Sequence, residues 1–255
     1  MKKIDSNYVE LIWEIAKTDF KLRYYGSILG YFWSLLKPLF LFLVLWMVFT
    51  VFMKWDIPNY QLYLLLGIML WNFFAEGTSM GVNSLVSKSG ILKKIYFPRI
   101  FIVIATTITA FLSLFFNLIV FFIFSFFSGI FISWHFILFI PVILFLYLIV
   151  LGVSLFLSAL YIKLRDINQI WEVILQVGFW LTPIIYPLAF VPEKFQFYLF
   201  LNPITGIIQN SRLLLVEHVY PSFLSVAYMF GWAVLLVVIG FLVFKKLSPY
   251  AAEEL

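Results

Sequence analysis

The chain has 255 residues, of which 64% are apolar, 22% aromatic and 11% charged, and its net charge is +5. Ordinary soluble domains carry roughly 25% charged residues, so a soluble globular fold is excluded and one polytopic membrane domain is expected. The basic residues lie at the ends of apolar segments rather than on one face, which points to topology signals and away from nucleic acid. The absence of cysteine excludes disulfides, thiolate metal sites and a cysteine nucleophile.

Residues 1–30 read as a cytoplasmic segment. Lys2 and Lys3 are followed by Asp5, Glu10 and Glu14 with no apolar core or cleavage site, so this is not a signal peptide. Tyr8, Leu11, Ile12 and Ile15 recur at helical spacing, opposite Glu10, Glu14, Lys17 and Lys21. That pattern predicts an amphipathic helix in the membrane interface, or one packed on a partner.

Residues 31–247 then carry six expected spans, at about 35–53, 61–80, 100–127, 136–161, 170–190 and 224–244, before a short tail over 248–255. The clearest signal is the run Ile100–Ile162, 63 residues without Asp, Glu, Lys or Arg. As one helix it would reach roughly 95 Å, three times a ~30 Å hydrocarbon core, so it must fold back. Ser128-Gly129 and Ser133-Trp134-His135 mark the turn. Between the fifth and sixth spans, Phe195–Leu201 and Ile204–Val216 are each too short to cross and too apolar for a free loop. They predict a re-entrant hairpin turning at Asn202-Pro203. The expected fold is thus all-α and integral to the membrane, with an interface helix and an outer hairpin. With both termini inside, fourteen Lys/Arg face the cytoplasm and only Lys54, Lys194 and Arg212 lie outside, as the positive-inside rule requires.

No G-x-x-x-x-G-K-[ST] phosphate loop occurs, so the chain is not expected to hydrolyse ATP. His135 and His218 flank different outer loops and are expected to lie apart, which argues against a metal or acid–base pair. Glu76 and Glu172 sit near span ends and read as polar contacts rather than proton relays. Asp166 reads as pairing with Lys163 or Arg165, or capping the next helix. The loop from Ser87 to Arg99 mixes Lys88, Lys93 and Lys94 with Ile91, Leu92, Ile95, Tyr96 and Phe97, after Gly90 and before Pro98. A positive-inside anchor and a short helix pressed into a groove on another protein both fit it.

Further motifs carry a resemblance. The stretch Lys21–Pro38 (KLRYYGSILGYFWSLLKP) resembles the approach to the first span of ABC-2 type permeases that export polysaccharides. Tyr96-Phe97-Pro98-Arg99, Arg165-Asp166-Ile167, Trp180–Tyr186, and Leu201-Asn202-Pro203 followed by Arg212 are similar to the same family, in the same order. Together they span about Val9 to Pro249, and the nearest likeness is to O-antigen or teichoic-acid exporters. The resemblance implies a non-enzymatic homodimeric permease of the bacterial inner membrane. It implies two separate ATP-binding cassette subunits that hold ATP and Mg, and a lipid-linked polysaccharide as cargo. In it the 87–99 loop docks the ATPase, and Asn202, Pro203 and Arg212 belong to an outer gate. Lys17, Lys21, Arg23 and Lys37 are candidates to meet the carrier's diphosphate, although ordinary anionic lipids attract the same charges. Tyr31, Trp33, Trp46, Trp71, Tyr147, Trp180 and Tyr186 are candidates to stack on sugar faces, and interface belts explain several equally well. An ABC-2 permease for a drug or small lipid, or a membrane transferase, are the competing readings.

Overall fold

The structure is a computed structural model that describes residues 6–23, 25–90, 98–131 and 133–248. In chain order its helices are α1 (Ser6–Arg23), α2 (Trp33–Trp46), α3 (Tyr60–Ser87), α4 (Ile100–Phe127), α5 (Phe136–Lys163), α6 (Ile167–Leu181), α7 (Glu193–Phe200), α8 (Pro203–Arg212) and α9 (Phe223–Leu247). Single π-helical turns extend α2 over Met47–Phe52 and α8 over Leu213–Glu217. No strand occurs among the described residues. Among the described residues four stretches are long and apolar enough to cross a bilayer: Gly30–Phe52, Ile100–Phe127, Phe136–Lys163 and Phe223–Leu247.

The charge-free run folds back where expected. Helix α4 ends at Phe127, Gly129 takes a φ of +77°, and Ser125 Oγ donates to Ile130 O at 2.6 Å to close the turn. Helix α3 is equally long but carries Asn72, Glu76 and Asn83, and most of its residues are buried. It packs on both α4 and α5 and so forms the centre of the bundle. Helix α6 stops at Leu181, short of the expected 190. Pro183 disfavours helix at the preceding residue, and Thr182 is extended with ψ 135°. On α1 the buried face is Ala16 and Phe20, with Tyr8 and Ile15 packed toward α4; Leu11, expected on that face, is exposed. Thr109 Oγ1 of α4 donates to Ala16 O, fixing the helix along the bundle.

The most extensive pairing is α5 with α9. Their backbones meet at two glycines: a Cβ on Gly240 would lie 2.1 Å from Gly152 O, and one on Gly152 2.5 Å from the carbonyl carbon of Leu236. Small residues permit such approaches, and dispersion replaces the hydrophobic effect that lipid removes. Gly240→Val should therefore separate the helices and cost about 1–3 kcal/mol, as overpacking does elsewhere. Thermal unfolding in detergent should show a lowered midpoint; an unchanged midpoint would contradict this crossing.

Candidate functional site

Two polar features interrupt the apolar bundle. The first is a cavity of about 330 Å³ between α2, α3 and α4, reached by Arg23 from the end of α1. Arg23 donates to the Glu76 carboxylate, and Ser113 Oγ of α4 donates to the same oxygen at 3.0 Å. Lys37 of α2 also lines the cavity and has no carboxylate partner among the described residues. Asn117, 6% exposed, gives Nδ2 to Ser113 O at 2.8 Å, while its Oδ1 has no partner among the described residues. Two cations against one carboxylate make an anion-attracting pocket, with Ser34, Asn72, Ser113 and Asn117 as further polar groups on its walls. A second ion pair, Lys88 with Asp19, ties α1 to the end of α3, where the basic loop begins.

The second feature is the turn after α6. Pro183 ends the helix, and the next four carbonyls are all taken by side chains. Arg212 Nη1 donates to Pro183 O at 2.7 Å and Nη2 to Ile184 O at 2.7 Å. Tyr60 OH donates to Ile185 O at 3.0 Å and Tyr63 OH to Tyr186 O at 3.3 Å. Arg212 also gives Nε and Nη2 to Tyr63 O and lies 3.3 Å from the centre of the Tyr63 ring. It is 1% exposed. Burial pulls its pKa down to about 10, opposed by Tyr63, so it stays cationic at neutral pH. Gly67 leaves the room, since a Cβ there would sit 2.8 Å from Nη2. Asn202 completes the clamp: Oδ1 accepts from Ile204 N at 3.0 Å, capping α8 ahead of Pro203 at its first position, and Nδ2 donates to Thr182 Oγ1 at 2.8 Å.

Arg212, counted among the charges on the outer side, is enclosed by protein, where three backbone carbonyls solvate it in place of water. One sequence expectation is corrected by the structure. His135 and His218 are not apart: their rings lie 5.8 Å from each other, each with Nδ1 at a hydrogen-bond distance from Ser133 Oγ. Nothing local in the sequence signals the meeting of the two rings.

The remaining candidates scatter. Of the basic residues, Arg23 and Lys37 meet at the cavity, whereas Lys17 pairs with Glu14 at 3.7 Å on the exposed face of α1 and Lys21 is also exposed. Of the aromatics, Trp33 lines the cavity and Tyr31 stacks on Phe20 at 5.2 Å beside it. Trp46 packs against the core, Trp71 is buried against Phe74 and Phe179, and Tyr147 meets Thr107. Trp180 is exposed, and the Tyr186 hydroxyl turns back to Leu181 O. Asn83, Asn168 and Glu172 form a hydrogen-bonded chain between α3 and α6. Asp166 occupies the cap position of α6 without a side-chain cap bond. In the 87–99 loop, Ser87 ends α3, Lys88 pairs with Asp19, and Arg99 donates to Ser248 O beside Pro98. The expected docking residues Ile91, Leu92, Lys93, Lys94, Tyr96 and Phe97 lie outside the described residues.

An all-helical bundle with four bilayer-length apolar helices is an integral membrane protein. The sequence profile of the family described as ABC-2 type transporter matches residues 10–216, and the chain belongs to that family. It is similar to two proteins of Klebsiella pneumoniae named O-antigen export system permease protein RfbA. These are 30% and 31% identical over 248 residues, covering 96% of this chain and 95% of each relative. A protein of the same name from Myxococcus xanthus is 27% identical over 217 residues, 84% of either chain.

Arg212→Met would strand the carbonyls of Pro183 and Ile184, at about 1–3 kcal/mol for each buried group left unsatisfied. Arg212→Lys, with one charged nitrogen in place of a fork, should recover only part of this. Thermal unfolding in detergent should rank native above Lys above Met; equal midpoints would contradict the clamp.

Proposed function

We propose that the chain is the transmembrane permease subunit of an ABC exporter that moves a lipid-linked polysaccharide, O-antigen-like or teichoic-acid-like, across the bacterial cytoplasmic membrane. The observation that carries the reading is the cavity with Arg23 and Lys37 on its walls, in a chain whose relatives are named O-antigen export permeases. A diphosphate carrier lipid has an anionic head that charge-assisted hydrogen bonds from a guanidinium and an ammonium suit. Its sugar presents C–H faces that Trp33, at the rim, can stack on.

In this reading α3 and α6 complete a set of six spans, and both termini are cytoplasmic. Helix α6, with 15 residues, covers roughly 22 Å and needs the turn after it to finish the crossing. The α7–α8 pair enters from the outside and returns; non-spanning backbone is tolerated there because protein encloses it. The outward faces of α2 (Phe40, Leu43, Val44) and α6 (Val173, Val177, Trp180), exposed in the single chain, meet a second copy or lipid. Two ATP-binding cassette subunits supply the work, binding ATP and Mg themselves, and dock at the 87–99 loop. The Asp19–Lys88 pair links that loop to the last turn of α1, which also bears Arg23, so the docking site and the cavity share one helix end.

The chain, purified with an affinity tag from membranes of its own host, should bring down a nucleotide-binding subunit. In cells, Arg23→Gln with Lys37→Gln should lower glycan export roughly tenfold or more, since a hydrogen bond to a charged group contributes about 1.5–3 kcal/mol. Insertion and assembly should be unaffected. No ATPase in the purified material, or export unchanged in the double variant, would overturn the reading.

A further inference from the structure

The two histidines of the chain have no part in the cavity or the clamp, yet the fold brings them together. Ser133 and His135 belong to the turn between α4 and α5. His218 follows the π-helical turn that extends α8, with a left-handed φ of 55°. The Ser133 hydroxyl lies 2.8 Å from His135 Nδ1 and 3.0 Å from His218 Nδ1, so two imidazole nitrogens face one point. The ring of Tyr220 packs 4.3 Å from that of His135 and supports it.

Two imidazoles bound to one ion, with metal–nitrogen bonds of ~2.0–2.1 Å, place their ring centres roughly 5–6 Å apart. The observed separation is 5.8 Å. We propose that His135 and His218 form a two-histidine site for a borderline divalent transition ion, Zn²⁺, Ni²⁺ or Cu²⁺, which pins the α4–α5 turn to the end of the α7–α8 hairpin. The ion takes the Nδ1 lone pair of each neutral ring and sits near the point the Ser133 hydroxyl now bridges. Ser133 rotates aside or stays as a weak oxygen ligand. Among the described residues no group of three His, Asp or Glu exists, so the chain offers two strong ligands and water completes the shell. Such a site is weaker than a four-ligand structural zinc site, and it should follow the general order in which Cu²⁺ exceeds Ni²⁺ and Zn²⁺. The site joins elements distant in sequence, so occupancy ties the segment after α8 to the α4–α5 turn. It stands whether or not the cargo is a glycan.

The test uses the full chain in detergent, carrying a histidine-free tag, stripped with chelator and titrated at neutral pH with Cu²⁺ and then Ni²⁺. One ion per chain is expected, with binding weakened roughly tenfold or more in His135→Gln and in His218→Gln, and retained in Ser133→Ala. Electron paramagnetic resonance of the Cu²⁺ complex of the unaltered chain reads the site without any substitution, and coupling to two imidazole nitrogens is expected. Absence of stoichiometric binding, affinity that survives both histidine substitutions, or a spectrum with one imidazole nitrogen would each overturn the proposal. Ser133 would then be only a hydrogen-bond bridge.

Discussion

Pro183 cannot continue α6, and the carbonyls released from helical pairing at 183 to 186 lie inside an apolar bundle. In that setting an unpaired carbonyl is costly, because no water is at hand to accept the exchange. The chain satisfies all four from outside the turn: two from Arg212, one from Tyr60 and one from Tyr63. Those donors come from α3 and α8, so the repair of one broken helix fixes the relative positions of three. Arg212 is itself made tolerable by the same contacts, since its charge is spread over carbonyl dipoles and the Tyr63 ring without a carboxylate among those contacts. Removing either side leaves the other buried and unpaired.

The cavity works by a different balance. Glu76 neutralises Arg23 and is steadied by Ser113, while Lys37 contributes a second positive charge to the lining. The pair is partly exposed, at 34% and 24% of side-chain area, so solvent weakens it relative to a fully buried pair. That is the condition in which an incoming anion can compete with Glu76 for the guanidinium. The clamp ties α8 to α3 and to the turn after α6; the cavity, at the end of α1, is where one anion can replace another.

The elements that periodicity and charge could reveal were legible in the sequence. The bounds of α4 and α5 follow from the uncharged run and its Ser-Gly turn, and the α7–α8 turn follows from Asn202-Pro203. Helix α1 was legible in type, though its buried stripe shifts past Leu11 to Ala16 and Phe20 because α4 sets the contact. What escaped depends on long-range meeting. Arg212 in a list of charges looks like an outer cation, and only the free carbonyls after Pro183 explain its burial. Those carbonyls were a signal available in Thr182-Pro183, had it been read as a helix end instead of a feature inside a span. The meeting of His135 with His218 rests on the approach of the segment after α8 to the α4–α5 turn, which no local pattern encodes. The aromatic candidates divided for the same reason: a Trp at helical spacing does not say whether its face meets core, cavity or lipid.

In the proposed export function the turn after α6 belongs to an outer gate, clamped at rest and opened to the outside during transport. Ile184, fully buried within it, reports this directly. The chain has no cysteine of its own, so Ile184→Cys carries one thiol and no background. A membrane-impermeant thiol reagent added from outside should leave that thiol unmodified at rest and modify it while the ATPase partner turns over in the presence of cargo. Labelling that is equal with and without turnover, or absent throughout active export, would contradict the account.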